Sequence, residues 1–201
     1  MYHLPGSPGR GDDDKVMASL DTLCAVPEVV ATEKMDGENT TIHTGGCHAR
    51  SLDTGAHPAR DWVRGFAAGI SPQLAPGERI VGECLYARHS VAYDALPSWF
   101  LGFAWIQDEA IASWDDTLSR FAALGITPVP TLARGAFAND LLARLIDGLD
   151  TQRQEGFVIR DARAFPEAEM LHRMGKYVRA GHVAANARHW SRGPIMRNGL
   201  A

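Results

Sequence analysis

Glu28-Val29-Val30-Ala31-Thr32-Glu33-Lys34-Met35-Asp36-Gly37-Glu38-Asn39-Thr40-Thr41-Ile42-His43 is the stretch on which the reading of this chain turns. Its first half is β-branched and bounded by Pro27, and Thr40 to His43 alternates before Gly45-Gly46, so two strands flank a short polar segment with Lys34 at a strand end. A lysine directly after an apolar strand, followed at once by acids, an amide and a glycine, is a costly cluster unless it is used. Burial beside another cation or a bound metal lowers an ammonium pKa and turns the amine into a nucleophile, and Gly37 lets the backbone turn closely around a ligand. K-x-D-G alone also suits a plain solvated hairpin turn, so the order of segments elsewhere has to decide.

Downstream, Asp61 to Ala67 has apolar residues at helical spacing and stops before Ser71-Pro72, which predicts a short helix. Residues 79–85 and 99–106 are rich in β-formers and read as buried strands. Helices are expected from Ser113 to Leu124, closed by Gly125, and from Asn139 to Leu149, with final strands over 156–160 and 176–178. This mixed order is not a regular βαβ alternation, so the expected fold class is α+β, with antiparallel sheets flanked by helices. Residues 1–15, rich in Pro, Gly and Asp and without periodicity, read as an N-terminal arm before the packed domain.

The 201 residues are 45% hydrophobic and 22% charged, the balance of one globular domain. No apolar run approaches the roughly 20 residues of a membrane-spanning helix, and the start, MYHLPGSPGRGDDDK, is polar where a signal peptide is apolar. Cys24, Cys47 and Cys84 form neither a C-x-x-C pair nor an even set, so no disulfide framework or zinc site is indicated and a reducing cytoplasm is the expected location. The histidines are scattered, with no H-x-x-x-H or H-E-x-x-H spacing. Net charge is −4, but it is unevenly spread: residues 170–201 hold six cations and no acid, leaving fourteen cations against twenty-four acids before them. The basic segment 173–201 is charged to meet phosphates, or equally to form a solvated tail.

Five segments now stand in order: Glu33-Lys34-Met35-Asp36-Gly37-Glu38-Asn39, Gly82-Glu83, the aromatic run Trp99 to Ile106, Glu155-Gly156-Phe157-Val158-Ile159, and Lys176-Tyr177-Val178-Arg179. They resemble motifs I, III, IIIa, IV and V of the covalent nucleotidyltransferase superfamily of ATP-dependent DNA ligases, RNA ligases and messenger-RNA capping enzymes. E-K-x-x-G-x-N at motif I is similar to the RNA ligase 2 branch. His3-Leu4-Pro5-Gly6-Ser7-Pro8-Gly9, Gly82 to Ser90, and His189-Trp190 are similar to small bacterial and phage RNA ligases, so the resemblance spans the whole chain as a single adenylyltransferase domain, 1–201.

The resemblance implies that Lys34 attacks the α-phosphate of ATP and keeps AMP as a phosphoramidate, with Mg²⁺, or Mn²⁺ as an alternative ion, neutralising phosphate charge. It implies that Lys176 grips the α-phosphate and helps depress the Lys34 pKa, and that Glu155 holds the metal, through water as suits Mg²⁺. Glu83 corresponds to the acid that binds the ribose hydroxyl. Arg50 corresponds to an arginine near the ribose and the end to be joined. Phe103, ahead of its neighbours Phe100 and Trp105, corresponds to the aromatic that stacks on adenine. Glu33 would lie beside the adenine, and Asn39 would act after lysine adenylation. The partners so implied are RNA, as a nicked duplex or single-strand ends, with DNA-containing strands open, and an end-healing kinase or phosphatase; no membrane is involved.

Two departures stand out. The branch has K-x-K at motif V, and here the first position is Met174, so one phosphate-binding cation is missing unless Arg173 or Arg179 replaces it. Larger relatives carry a further C-terminal domain, and DNA ligases and capping enzymes need a following OB domain, so a minimal DNA ligase or a GTP-dependent guanylyltransferase is the weaker expectation. A non-catalytic nucleic-acid-binding protein is the alternative from another class. It has no need of Lys34, Glu83, Glu155 and Lys176 together.

Overall fold

The architecture comes from a computed structural model that describes residues 1–11, 13–50, 57–181 and 194–201. The strands, in chain order, are β1 (Tyr2–His3), β2 (Val29–Lys34), β3 (Glu38–His43), β4 (Gly46–Ala49), β5 (Glu78–Cys84), β6 (Phe100–Gln107), β7 (Ala110–Ile111), β8 (Thr127–Pro128), β9 (Thr131–Gly135), β10 (Gly156–Asp161), β11 (Phe165–Pro166) and β12 (Met174–Val178). The helices are α1 (Asp21–Ala25), α2 (Asp61–Ile70), α3 (Trp114–Leu124), α4 (Asn139–Asp147) and α5 (Met170–Arg173). One sheet runs β1-β12-β10-β2-β9 and the other β11-β7-β6-β5-β3-β4, with β8 beside β6. All pairings are antiparallel except β1 with β12 and β6 with β8. The expected α+β class with antiparallel sheets is what the chain adopts.

Four apolar clusters set the layers. Leu23, Val29, Ala31, Leu141, Phe157 and Ile159 close the outer face of the first sheet under α1 and α4. Val63, Ala67, Ile70, Ile80, Phe121 and Leu124 close the outer face of the second under α2 and α3. Val30, Met35, Leu101 and Val129 fill the space between the sheets, as do Ala104, Ile106, Phe165 and Met174. Each central strand is therefore buried on both faces, which is why β2 and β10 read as continuous apolar runs rather than as alternation. α3 begins where Ser113 Oγ accepts the Asp116 N–H at 3.1 Å and ends at Gly125, whose φ of 67° admits no side chain cheaply.

The polar segment after Lys34 is not a hairpin. β2 pairs with β10 and β9, whereas β3 pairs with β4 and β5, so Met35-Asp36-Gly37 carries the chain from one sheet to the other. Residue periodicity identifies two strands but not whether they are partners. Gly37 is required there, since a Cβ would stand 2.4 Å from the Cys84 carbonyl oxygen.

The N-terminal residues are part of the packed molecule. Tyr2 and His3 add an edge strand to the first sheet, Leu4 is fully buried against Gly175 and Met17, and the His3 N–H donates to Lys15 O at 2.8 Å. Single apolar residues separated by turns bury well but leave no period, which is why the sequence read them as an arm before the packed domain. At the other end, residues 194–201 lie along the 85–96 loop, and Asn198 is buried.

Gly156, next to Glu155, gives a direct test of the packing. A Cβ at this position would lie 1.9 Å from the Tyr177 carbonyl oxygen. Gly156→Ala is expected to push β10 from β12 and cost about 3 kcal/mol of unfolding free energy, read from a urea midpoint with an unchanged slope.

Candidate active site

Lys34 ends β2 in the crevice between the sheets. Its Nζ donates to Glu155 Oε2 at 2.6 Å, and the Glu155 side chain is only 5% exposed. Strand register explains the meeting, because Gly156 stands opposite Lys34 and the residue before it delivers the acid. Burial alone would lower the Lys34 pKa, but Glu155, Glu83 and Asp36 outweigh it and hold the ammonium above the ordinary lysine range. The expected depression by Lys176 is thus not the balance in this structure. Three acids surround one cation, which holds the proton on the amine while those acids face it.

The same negative surroundings act on Glu83. Burial, with Glu155 and Asp36 nearby, pushes its carboxyl up to about 8 despite Lys34 and a hydrogen bond from the Gly37 N–H. Glu83 faces Asn39 across the β3–β5 ladder, so these two predicted residues are neighbours on one sheet. Phe103 is placed by a bulge. Val81 pairs with Ala104 and Gly82 with Gly102, leaving Phe103 as the extra residue of β6. That bulge turns its ring into the space between the sheets, against both inter-sheet clusters, while Phe100 and Trp105 pack on the outer face.

Lys176 lies on β12 opposite Val158, which is itself opposite Thr32 on β2. Even-numbered positions of β2 share a face, so Lys176, Val158, Thr32 and Lys34 line one surface. Glu33 is half-buried, accepts from Gln154 Nε2 at 3.1 Å, and is pushed up by burial. Arg50 is exposed just past β4, its N–H donating to Asn39 O at 3.2 Å. Arg179 sits at the Glu155 end of β12, with its N–H on Glu155 O and Nε on Gln154 O.

Arg173 is not brought to this cluster. Its Nη1 meets Asp161 Oδ2 at 2.7 Å and its Nε meets Glu169 Oε2 at 2.5 Å, at the end of β10 remote from Glu155. Met174, where the branch pattern has a lysine, is a buried member of the inter-sheet core. Arg173 therefore does not replace that cation. Arg188, Arg192, His189 and Trp190 lie outside the described residues.

The sequence missed the groups that fix Asp36. Its Oδ2 accepts from Ser90 N and Oγ at 2.7 Å and from Val91 N at 2.6 Å, while its own N–H donates to Tyr93 Oη at 3.0 Å. Asn198, 3% exposed, holds that loop from behind: Tyr93 N donates to its Oδ1 at 3.0 Å and its Nδ2 donates to Leu85 O at 2.8 Å. Partners 54 to 113 residues apart leave no local pattern to find.

A metal fits only on particular terms. Among the described residues no three acidic, thiol or imidazole groups gather closely enough to grip an ion by themselves. The buried Glu155 carboxylate, with Asp36 adding charge nearby, suits an ion that keeps most of its waters and takes oxygens from phosphates, the habit of Mg²⁺. No helix of the structure is long and apolar enough to cross a membrane.

Comparison with known proteins places the fold and the family. The RNA ligase family model matches residues 27–178. A search of curated proteins finds no match. Among solved structures, an archaeal ATP-dependent RNA ligase is similar with TM-score 0.54 and 16% identity, covering 81% of this chain and 45% of that one. A Naegleria gruberi RNA ligase variant with ATP and Mn gives 0.55 and 13%, covering 89% and 58%. A putative ATP-dependent DNA ligase from Aquifex aeolicus gives 0.52 and 16%, covering 85% and 50%. The chain spans about half the length of these proteins, and at such identities the likeness is one of fold. With the family model covering more than half of the sequence and every motif from Lys34 to Lys176, the chain belongs to the RNA ligase family.

Proposed function

We propose that this protein is an ATP-dependent RNA ligase that works through a lysyl-AMP intermediate. The observation that carries the reading is the Lys34 ammonium held at 2.6 Å by a buried Glu155, on a segment that bridges two sheets with Glu83 and Lys176 on the surrounding walls. In the first step Lys34 Nζ, having lost its proton, attacks the α-phosphorus. A P–N bond forms as the bond to the bridging oxygen breaks, and pyrophosphate leaves opposite the incoming amine. A divalent ion, Mg²⁺ or Mn²⁺, would be held at Glu155 and would supply charge neutralisation on the phosphates. Occupying Glu155 in this way removes the main counter-charge of Lys34 and eases its deprotonation. Lys176 binds α-phosphate oxygen, Glu83 accepts from the ribose hydroxyl, and Phe103 offers an aromatic face to adenine.

AMP then passes to a 5′-phosphate end, giving a 5′-to-5′ pyrophosphate, and a 3′-hydroxyl attacks that phosphate and expels AMP. Asn39 and Arg50 are the residues nearest the site that would meet the polynucleotide in these later steps, with Arg179 beside Glu155. RNA repair in the cytoplasm, after a kinase or phosphatase has healed the ends, is the setting the family suggests.

The test mixes the protein with a divalent ion and α-labelled ATP or GTP, without nucleic acid. A labelled adduct from ATP that maps to Lys34 is expected, followed by label transfer to 5′-phosphorylated RNA in preference to DNA. A GTP-derived adduct would move the reading to capping chemistry. No adduct with either, from folded protein free of bound AMP, would make it a binding protein.

A further inference from the structure

The segment His3 to Gly9 has no task in the steps above, yet it lies against Lys176. β1 runs parallel to β12 with His3 opposite Lys176, and His3 is 1% exposed. His3 Nδ1 is 2.8 Å from Ser7 Oγ, which itself accepts the Val178 N–H at 2.9 Å. The hydroxyl hydrogen then has two destinations, Nδ1 at 2.8 Å or Val178 O at 3.4 Å, and the shorter contact takes it. We assign Nδ1 as acceptor and Nε2 as the protonated nitrogen on that ground. Burial and the nearby Lys176 keep the ring below the ordinary histidine range, so it is neutral at pH 7.

Nε2 is directed at Asp14, with Oδ2 at 3.3 Å, but the contact is too poorly aligned for a hydrogen bond and the buried donor is left without one. Asp14 Oδ1 lies 3.3 Å from Lys176 Nζ, and Oδ2 accepts the Gly11 N–H at 3.0 Å. One carboxylate thus stands among three donors and satisfies only the backbone one well. Its two oxygens lie in one plane, whereas a phosphoryl group offers three oxygens in a tetrahedral spread. Asp14 is 39% exposed and can leave without opening the core, whereas the imidazole cannot.

We propose that His3 Nε2, Gly11 N and Lys176 Nζ form a phosphoryl-group site that Asp14 fills in the unliganded protein and vacates when a phosphate arrives. The site deepens the ligase reading and rests on it for the source of the phosphate, the nucleotide or the 5′ end of a polynucleotide. Asp14 then sets affinity: its charge is paid out in weaker anion binding, and in return the unoccupied site is closed.

The first arm of the test does not depend on catalysis. Calorimetric binding of inorganic pyrophosphate without divalent ions is expected to tighten about threefold or more in Asp14→Asn and to weaken in His3→Ala, with recovery in His3→Gln, whose amide keeps a donor. Unchanged or weaker binding in Asp14→Asn overturns the proposal. In the second arm, a lower ATP KM for adduct formation in Asp14→Asn assigns the site to the nucleotide. A lower KM for 5′-phosphorylated RNA in sealing by pre-adenylylated protein, with 5′-hydroxyl RNA as the blank, assigns it to the polynucleotide. If neither KM moves, the proposal falls even where pyrophosphate binds more tightly. If the wild-type protein forms no adduct at all, the ligase reading fails, while the pyrophosphate arm still decides whether the site exists.

Discussion

Lys34→Ala is expected to abolish the ATP-derived covalent adduct, a loss on the order of 10⁴-fold or more, because no other described amine shares its position against Glu155. An undiminished adduct in this variant would remove Lys34 from the nucleophile role. The substitution also carries a structural cost that has to be separated from the chemical one. Glu155 loses the ammonium that stands 2.6 Å from it while staying buried, and Glu83 and Asp36 remain close by. Breaking a buried pair in this way costs about 3–5 kcal/mol. Lys34 lowers the Glu83 pKa, so removing it raises that carboxyl further, and this part of the destabilisation is smallest in acid and grows as pH rises above about 8. Lys34→Ala combined with Glu155→Gln should recover much of the stability at neutral pH and none of the adduct. Adduct formation and urea midpoints, measured on both variants at pH 5 and pH 8, separate the two effects.

The reason Lys34 could be singled out from the chain alone, while its surroundings could not, is one of range. The Ser113 cap and the Gly125 stop are written in neighbouring residues, and so are found at their observed places, whereas strand ends shift by one or two residues, β12 starting at Met174 rather than Lys176. The α+β class followed from the order of those elements. Where β2 and β3 go is a question of partners, and nothing within ten residues of Lys34 says that they belong to different sheets. The bulge that turns Phe103 inward is likewise a mismatch between two strands, visible only once β5 and β6 are paired. Arg173 shows the opposite hazard. A cation three residues before Lys176 looks available in sequence, but Asp161 and Glu169 occupy it in space. The basic segment after Glu169 is a charge pattern rather than a structure, and three of its five arginines fall on ion pairs, backbone carbonyls or loop pairing instead of one surface.

Glu83→Gln is expected to make the protein more stable and less active, and the two effects should part with pH. The carboxyl titrates near its ordinary value of 4.5 in the unfolded chain and at about 8 in the folded one. Between those values the unfolded chain has released a proton that the folded protein still holds, so stability falls as pH rises and levels off above about 8. An amide has no such proton to lose. The variant should therefore gain on the order of 4 kcal/mol over the wild type at pH 8, and the difference should vanish near pH 4. In the same variant adduct formation measured above pH 8, where Glu83 is ionised, should drop about 10- to 100-fold, the worth of a charged hydrogen bond to a ribose hydroxyl. A residue kept for packing would behave in the reverse manner, with substitution lowering the urea midpoint at every pH. A Glu83→Gln protein that is less stable at pH 8 would mean that Glu83 is ionised there and serves mainly as a partner of Lys34. A protein that is more stable and poorly adenylylated would mean that the crevice holds an acid at an energetic cost for the sake of the nucleotide, which is how a binding group differs from a structural one.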